Sequence, residues 1–189
     1  MYESLRQYVT QFVAFKEKEL SYFEQLLVFR EVPRKFILID EGQVARELFF
    51  VNQGCVRLYY NNNGEDVTGF IFLENLFATS FDSFLQQSPS TQILETLEPC
   101  ELLVMDSLGM QKLYNYSVNF QIMGRRIAEQ RFINAQQILS SYILDSPEER
   151  YKKLLTTQPD WIQCVPQHYI ASFLGITPVS LSRIRKRIM

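Results

Sequence analysis

Histidine is almost missing from this sequence: His168 is the single one in 189 residues. Metal-assisted catalysis draws on clustered histidines and carboxylates, so there is little material for a metal centre. Cysteine is also scarce. Cys55, Cys100 and Cys164 are odd in number and far apart, which suits neither a disulfide framework nor a zinc site. No apolar run approaches the roughly 20 residues of a membrane span. The opening Met1-Tyr-Glu-Ser-Leu-Arg lacks the basic-then-apolar layout of a signal peptide. No Gly-x-Ser-x-Gly, His-Glu-x-x-His or phosphate loop occurs. These gaps predict a cytoplasmic protein that is not an enzyme, with no catalytic residue, no metal, no cofactor and no membrane partner. One further absence is local: residues 161–189 contain no Asp or Glu, while Arg183, Arg185, Lys186 and Arg187 lie close together. With the whole chain at −2, residues 1–160 stand at −6, so an acidic body ends in a basic tip suited to phosphate.

That tip has a pattern. Residues 169–188 divide at Gly175 into two short predicted helices. Ala171 allows close approach, Gly175 suits a left-handed turn, and Thr177-Pro178 supplies an N-cap and a first-turn proline. Leu181, Ile184 and Ile188 share one face, which leaves Val179, Ser180, Ser182, Arg183 and Arg187 pointing outward. A helix-turn-helix whose second helix enters a DNA groove fits this arrangement. A plain helical hairpin closing a globular domain fits the spacing as well, and charge favours the former.

The rest of the chain, 47% hydrophobic and 14% aromatic, has ample material for a core. Residues 3–30 carry Leu5, Tyr8, Phe12, Phe15, Phe23, Leu26 and Leu27 at helical spacing, with Pro33 closing the segment. From 36 to 105 the period becomes two, with turns about every ten residues. Asn61-Asn-Asn-Gly64 is a strong hairpin signal. Many short antiparallel strands predict a barrel or jelly roll. Residues 106–144 return to helix with two apolar stripes: Phe120, Met123, Ile127, Asn134, Ile138, and beside it Ala128, Phe132, Ala135, Leu139, Ile143. Two stripes predict a helix packed on its own roll and on a partner helix, with the first stripe taken as the dimer seam. Burial of the whole helix in a monomer is the alternative. Ser146-Pro147-Glu148-Glu149 starts a new helix, which sets a boundary near Asp145.

Helix, β-roll, long helix and helix-turn-helix, in this order, resemble the Crp/Fnr (cyclic-AMP receptor protein) superfamily of transcription regulators. The resemblance runs from about Leu20 to Ile188. Its best local match is residues 170–186, with Glu41-Gly42 and Gly54 in support. It implies an α+β protein: an N-terminal cyclic-nucleotide-binding-like β-roll (jelly roll) with flanking helices over 1–115, a dimerisation helix over 116–145, and a winged-helix-like DNA-binding unit over 146–189. Implied partners are a second copy, near-palindromic double-stranded DNA and RNA polymerase. A small-molecule effector is either unknown or absent. The alternative within the same fold is a signalling module acting on a protein partner.

In ligand-binding relatives a Phe-Gly-Glu and a later Arg-Ser-Ala hold the nucleotide. Here Glu74 remains, Leu73 replaces the glycine, and Ser90-Thr91 stands where the phosphate-binding arginine is expected. No Lys or Arg lies between Arg57 and Lys112, so a buried cyclic phosphate would lack a cation. The chain is therefore expected not to respond to cyclic AMP. The aromatic-rich stretch 77–84 either lines an apolar pocket or fills the core. The resemblance places Arg183 on a guanine, and Thr177 and Ser180 on a base edge or phosphate. Gln167, His168, Lys186 and Arg187 fall on the DNA backbone. Pro178 and Val179 occupy positions where the cyclic-AMP receptor carries an arginine and a glutamate, which implies a different operator.

Overall fold

The computed structural model describes residues 1–188. Eight strands form two four-stranded antiparallel sheets: β1 Val28–Val32, β2 Ile37–Ile39, β3 Glu47–Gln53, β4 Val56–Asn62, β5 Glu65–Phe72, β6 Phe77–Ala78, β7 Ile93–Thr96 and β8 Cys100–Asp106. The strand orders β1-β8-β3-β6 and β2-β7-β4-β5 make a jelly roll. Between β4 and β5 the chain reverses through Asn63 and Gly64 alone. Both have positive φ (54° and 89°), which matches the right-handed strand twist. Strands β3 and β8 are buried on both faces at the centre of their sheet, and so read as continuous apolar runs, Leu-Phe-Phe-Val and Leu-Leu-Val-Met.

The N-terminal region departs from the expected helix over 3–30. It contains α1 Glu3–Thr10 and α2 Glu17–Gln25, and Val28–Val32 is a strand instead. Its five residues pair in register with Val104 down to Cys100. Without them one edge of β8 would leave its backbone groups unsatisfied, and that requirement overrides a marginal helical pattern.

The region 106–144 resolves into α4 Ser107–Tyr116 and α5 Val118–Leu144. Ser117 is extended (φ −154°, ψ 141°) and caps α5 by accepting from the Asn119 N–H. Phe120 and Met123, at the start of α5, are buried among Phe15, Phe23 and the roll. Four helices follow: α6 Pro147–Thr157, α7 Pro159–Cys164, α8 Gln167–Phe173 and α9 Pro178–Ile188. The expected Ser146–Glu149 capping box at the start of α6 is formed. Trp161 centres a second apolar cluster with Tyr151, Leu154, Phe173 and Leu181, and this cluster also takes in Cys55, Ile71 and Leu97 of the roll. Among the described residues no strand follows β8.

Candidate nucleic-acid interface and effector pocket

Local sequence builds the α8–α9 turn. At the end of α8 the Ile176 N–H bonds the Ala171 carbonyl (3.0 Å) and the Gly175 N–H bonds that of Ser172 (3.0 Å). Gly175, at φ 66°, provides the left-handed residue this Schellman closure needs. Thr177 Oγ1 then accepts the Ser180 N–H at 3.1 Å, with Pro178 in the first turn of α9. Ala171, Leu181 and Ile184 are buried where the two helices meet.

The outer side of α9 is open. Pro178, Val179, Ser182, Arg183, Lys186 and Arg187 are exposed and Ser180 is half-buried. Val179, Ser182, Arg183 and Lys186 follow at i, i+3, i+4, i+7, a single face. Arg183 and Lys186 have no ion-pair partner among the described residues. Arg187 differs: it turns sideways to Glu148 Oε2 at 3.2 Å, so it is tied to its own unit. Gln167 and His168 are exposed at the first turn of α8, and Thr177 is exposed at the turn itself.

The inner side of α8 is docked on the roll. Ser172 Oγ donates to the Asp66 carbonyl (3.0 Å) and accepts the Thr68 N–H (2.9 Å). This satisfies the free edge of β5. Beside it Arg57, 1% exposed, lies between the rings of Tyr59 and Tyr169, 4.1 and 4.2 Å from their centres. Its Nε donates to Thr68 Oγ1 (2.9 Å), and its Nη1 pairs with Asp66 at 3.2 Å. Burial pushes the Tyr59 phenol up to about 12. At the other end of the unit, Arg150 donates to the Leu174 carbonyl and to that of Asp145, and Tyr142 donates to that of Phe173. The turn between α8 and α9 is thus held to both α5 and α6.

The three effector-pocket positions do other work. Glu74 is exposed, and its carboxylate accepts the Gly54 N–H at 3.2 Å. Gly54 has φ 101°, and a Cβ there would meet Cys100 Sγ at 2.7 Å and the Pro99 carbonyl at 2.8 Å. Ser90 is buried, with its Oγ 2.7 Å from both Ser80 Oγ and the Gln92 carbonyl, and Thr91 is exposed. No hydrogen bond joins Glu74 to Ser90 or Thr91 among the described residues.

The roll's own strands hide a cation that comes from α5, outside the stretch between Arg57 and Lys112. Arg131 reaches back to the roll, donates to the Phe77 carbonyl and stacks over Phe72, 4.9 Å from the ring centre. Its position, four residues after Ile127 and three before Asn134, was the available signal.

The seam residues also require correction. Phe120 (0% exposed) and Met123 are enclosed by their own protomer. Ile127 packs on the roll and Ile138 on the Trp161 cluster, with Asn134 half-buried between them. The second stripe is the free one: Ala128 and Ala135 are exposed, as are Phe132 (65%), Leu139 (53%) and Ile143 (71%).

Among the described residues no group of three His, Cys, Asp or Glu could hold a metal, and no helix is long and apolar enough to cross a membrane. Cys55 and Cys100 are buried with their thiol pKa values pushed up by burial, that of Cys100 to about 11, which keeps both protonated and unreactive near neutrality.

Residues 29–117 match the cyclic nucleotide-binding domain family. No curated protein matches the sequence. Solved structures do. The c-di-GMP-responsive global regulator CLP of Xanthomonas campestris is 17% identical, with TM-score 0.69 over 92% of this chain and 91% of its own. FixK2 of Bradyrhizobium japonicum is 13% identical, with TM-score 0.73 over 86% and 84%. A Crp/Fnr-family regulator of Eubacterium rectale is 13% identical, with TM-score 0.68 over 92% and 83%. Residues 29–117 are thus a domain of the cyclic nucleotide-binding family, set in a chain that has the fold of the Crp/Fnr regulators.

Proposed function

We propose that this chain is a dimeric, sequence-specific DNA-binding transcription regulator of Crp/Fnr type that does not respond to cyclic AMP. The observation that carries the reading is the outer face of α9, where Val179, Ser182, Arg183 and Lys186 stand together with both cations unpaired, on an otherwise acidic protein. A long guanidinium at Arg183 suits a bidentate contact with guanine O6 and N7, Val179 suits a thymine methyl, and Lys186 suits a phosphate. Gln167 and His168, at the start of α8, suit the flanking backbone.

Pairing supports the same reading. The free stripe of α5 alternates small Ala128 and Ala135 with large Phe132 and Leu139, a spacing that lets a second copy pack closely. Two copies of α9 related by that axis would fall about 34 Å apart on a near-palindromic site. RNA polymerase is the partner such a complex would address. The cyclic-AMP part rests on Glu74 and Ser90, both of which serve the roll's own backbone.

Selection of bound genomic fragments, followed by fluorescence anisotropy on the selected site, tests this. Arg183→Ala is expected to cost about 1–3 kcal/mol and to relax one base pair, whereas Lys186→Ala weakens all sequences alike and lowers the salt slope by about one. Equal loss on selected and random DNA for Arg183→Ala refutes the assigned role. No retained DNA at all favours a module acting on a protein. Micromolar heat of binding with cyclic AMP or cyclic GMP refutes the last clause.

A further inference from the structure

Two arginines are packed against the roll, and only one has a counter-charge. Arg57 has Asp66. Arg131 has no carboxylate within salt-bridge distance among the described residues. A guanidinium carries five N–H donors; here one goes to the Phe77 carbonyl, and the planar group otherwise rests over Phe72 and Phe70. The ionisable neighbour acting on it is the Tyr8 phenol, whose own ionisation burial disfavours. Desolvated cations without an anion are costly and are normally paired.

The group also faces a space. A cavity of about 380 Å³ lies between α5 and the roll, lined by Phe72, Phe77, Thr79, Phe81, Ile127 and Phe132, with Arg131 as its cation. That volume falls within the range of small-molecule sites, and the walls are almost wholly apolar and largely aromatic. Ribose hydroxyls would find little to bond there, because Glu74 is engaged with Gly54.

We infer that this cavity binds a small organic monoanion, a carboxylate carried on an aromatic body, with Arg131 gripping the carboxylate and the phenylalanines packing the ring. The fork geometry of a guanidinium matches a carboxylate with two parallel hydrogen bonds. The inference rests on the regulator reading for its purpose, since it names the effector's chemical class, but the binding itself does not depend on DNA. Phe132 belongs both to the cavity wall and to the free stripe of α5. A ligand ordering that side chain would therefore act directly on the pairing surface.

Isothermal titration of the purified full chain, without DNA, compares benzoate, phenylacetate and indole-3-acetate with their neutral amides. At least one acid is expected to bind, with its amide roughly tenfold or more weaker. Arg131→Gln should equalise acid and amide, and Arg131→Lys should retain part of the preference. The preference of the unaltered chain for acid over amide needs no variant, so it stands even if Arg131→Gln does not fold. The inference fails if none of the three acids binds, if acids and amides bind alike, or if Arg131→Gln keeps the preference. DNA retention in the fragment selection is unaffected by any of these results, so the two readings fail separately.

Discussion

Along α5, Phe120, Met123, Ile127, Asn134 and Ile138 lie against the chain's own roll and C-terminal helices, whereas Ala128, Phe132, Ala135, Leu139 and Ile143 stand in solvent. Both stripes have helical spacing and similar composition. Periodicity reports that a face is apolar; it does not report whose surface covers it. The inner stripe is fixed by tertiary structure that the helix cannot announce, namely an aromatic cage of Phe15, Phe23 and Tyr116 around Phe120. The outer stripe has no such cage. It stands in water as an exposed apolar face, the kind of surface that marks interaction sites.

The difference is broken most severely from the inside. Phe120→Ala leaves a cavity in the main core, where Phe120 is fully buried, and is expected to lower unfolding free energy by about 3–5 kcal/mol, read from the urea midpoint at constant slope. An effect below about 1 kcal/mol would place Phe120 outside the core.

Leu139→Glu attacks the other stripe. The folded chain loses no enclosed contact, so its unfolding free energy under monomeric conditions should stay within about 0.5 kcal/mol. Self-association, measured by sedimentation velocity, should weaken at least about tenfold because two carboxylates would face each other across the seam. Unchanged association would mean that some other surface pairs the copies.

How legible this was depends on how local each cause is. Gly175, Thr177 and Pro178 determine their turn with partners no more than five residues away, so the helix pair could be read directly and its caps form as expected. The Asn63-Gly64 hairpin is equally local. Val28–Val32 could not be read that way, because what makes it a strand is β8, whose paired residues lie 68 to 76 positions later. Arg131 reads in sequence as a charged interruption of an apolar stripe, and its meaning comes from the phenylalanines of the roll opposite. The two stripes of α5 look alike in sequence for the same reason: the surfaces that cover the inner one are distant in sequence. Arg57 is the mirror case. A lone strand arginine predicts exposure, yet Tyr169 from the C-terminal unit covers it.

The junction between α2 and the start of α5 gives the finest test of how the inner stripe is anchored. Glu19 is buried and holds α5 by its first residues. It accepts from the Ser117 hydroxyl, from Asn119 Nδ2 (3.1 Å) and from the Lys16 N–H (2.9 Å). The Ser117 bond first, then the Lys16 amide, hold its carboxyl below the usual glutamate range against the opposing effect of burial. Because the folded value is depressed, its contribution is complete above the ordinary glutamate pKa and is lost as pH falls through the folded one. Glu19→Gln would set an amide against donors that need an acceptor, at a cost of about 1–3 kcal/mol near neutrality. The gap between the two proteins should therefore be widest at pH 7 and narrow as the medium is acidified below the glutamate range. A gap that stays constant with pH would show that the side chain anchors α5 by shape alone, with no part played by its charge.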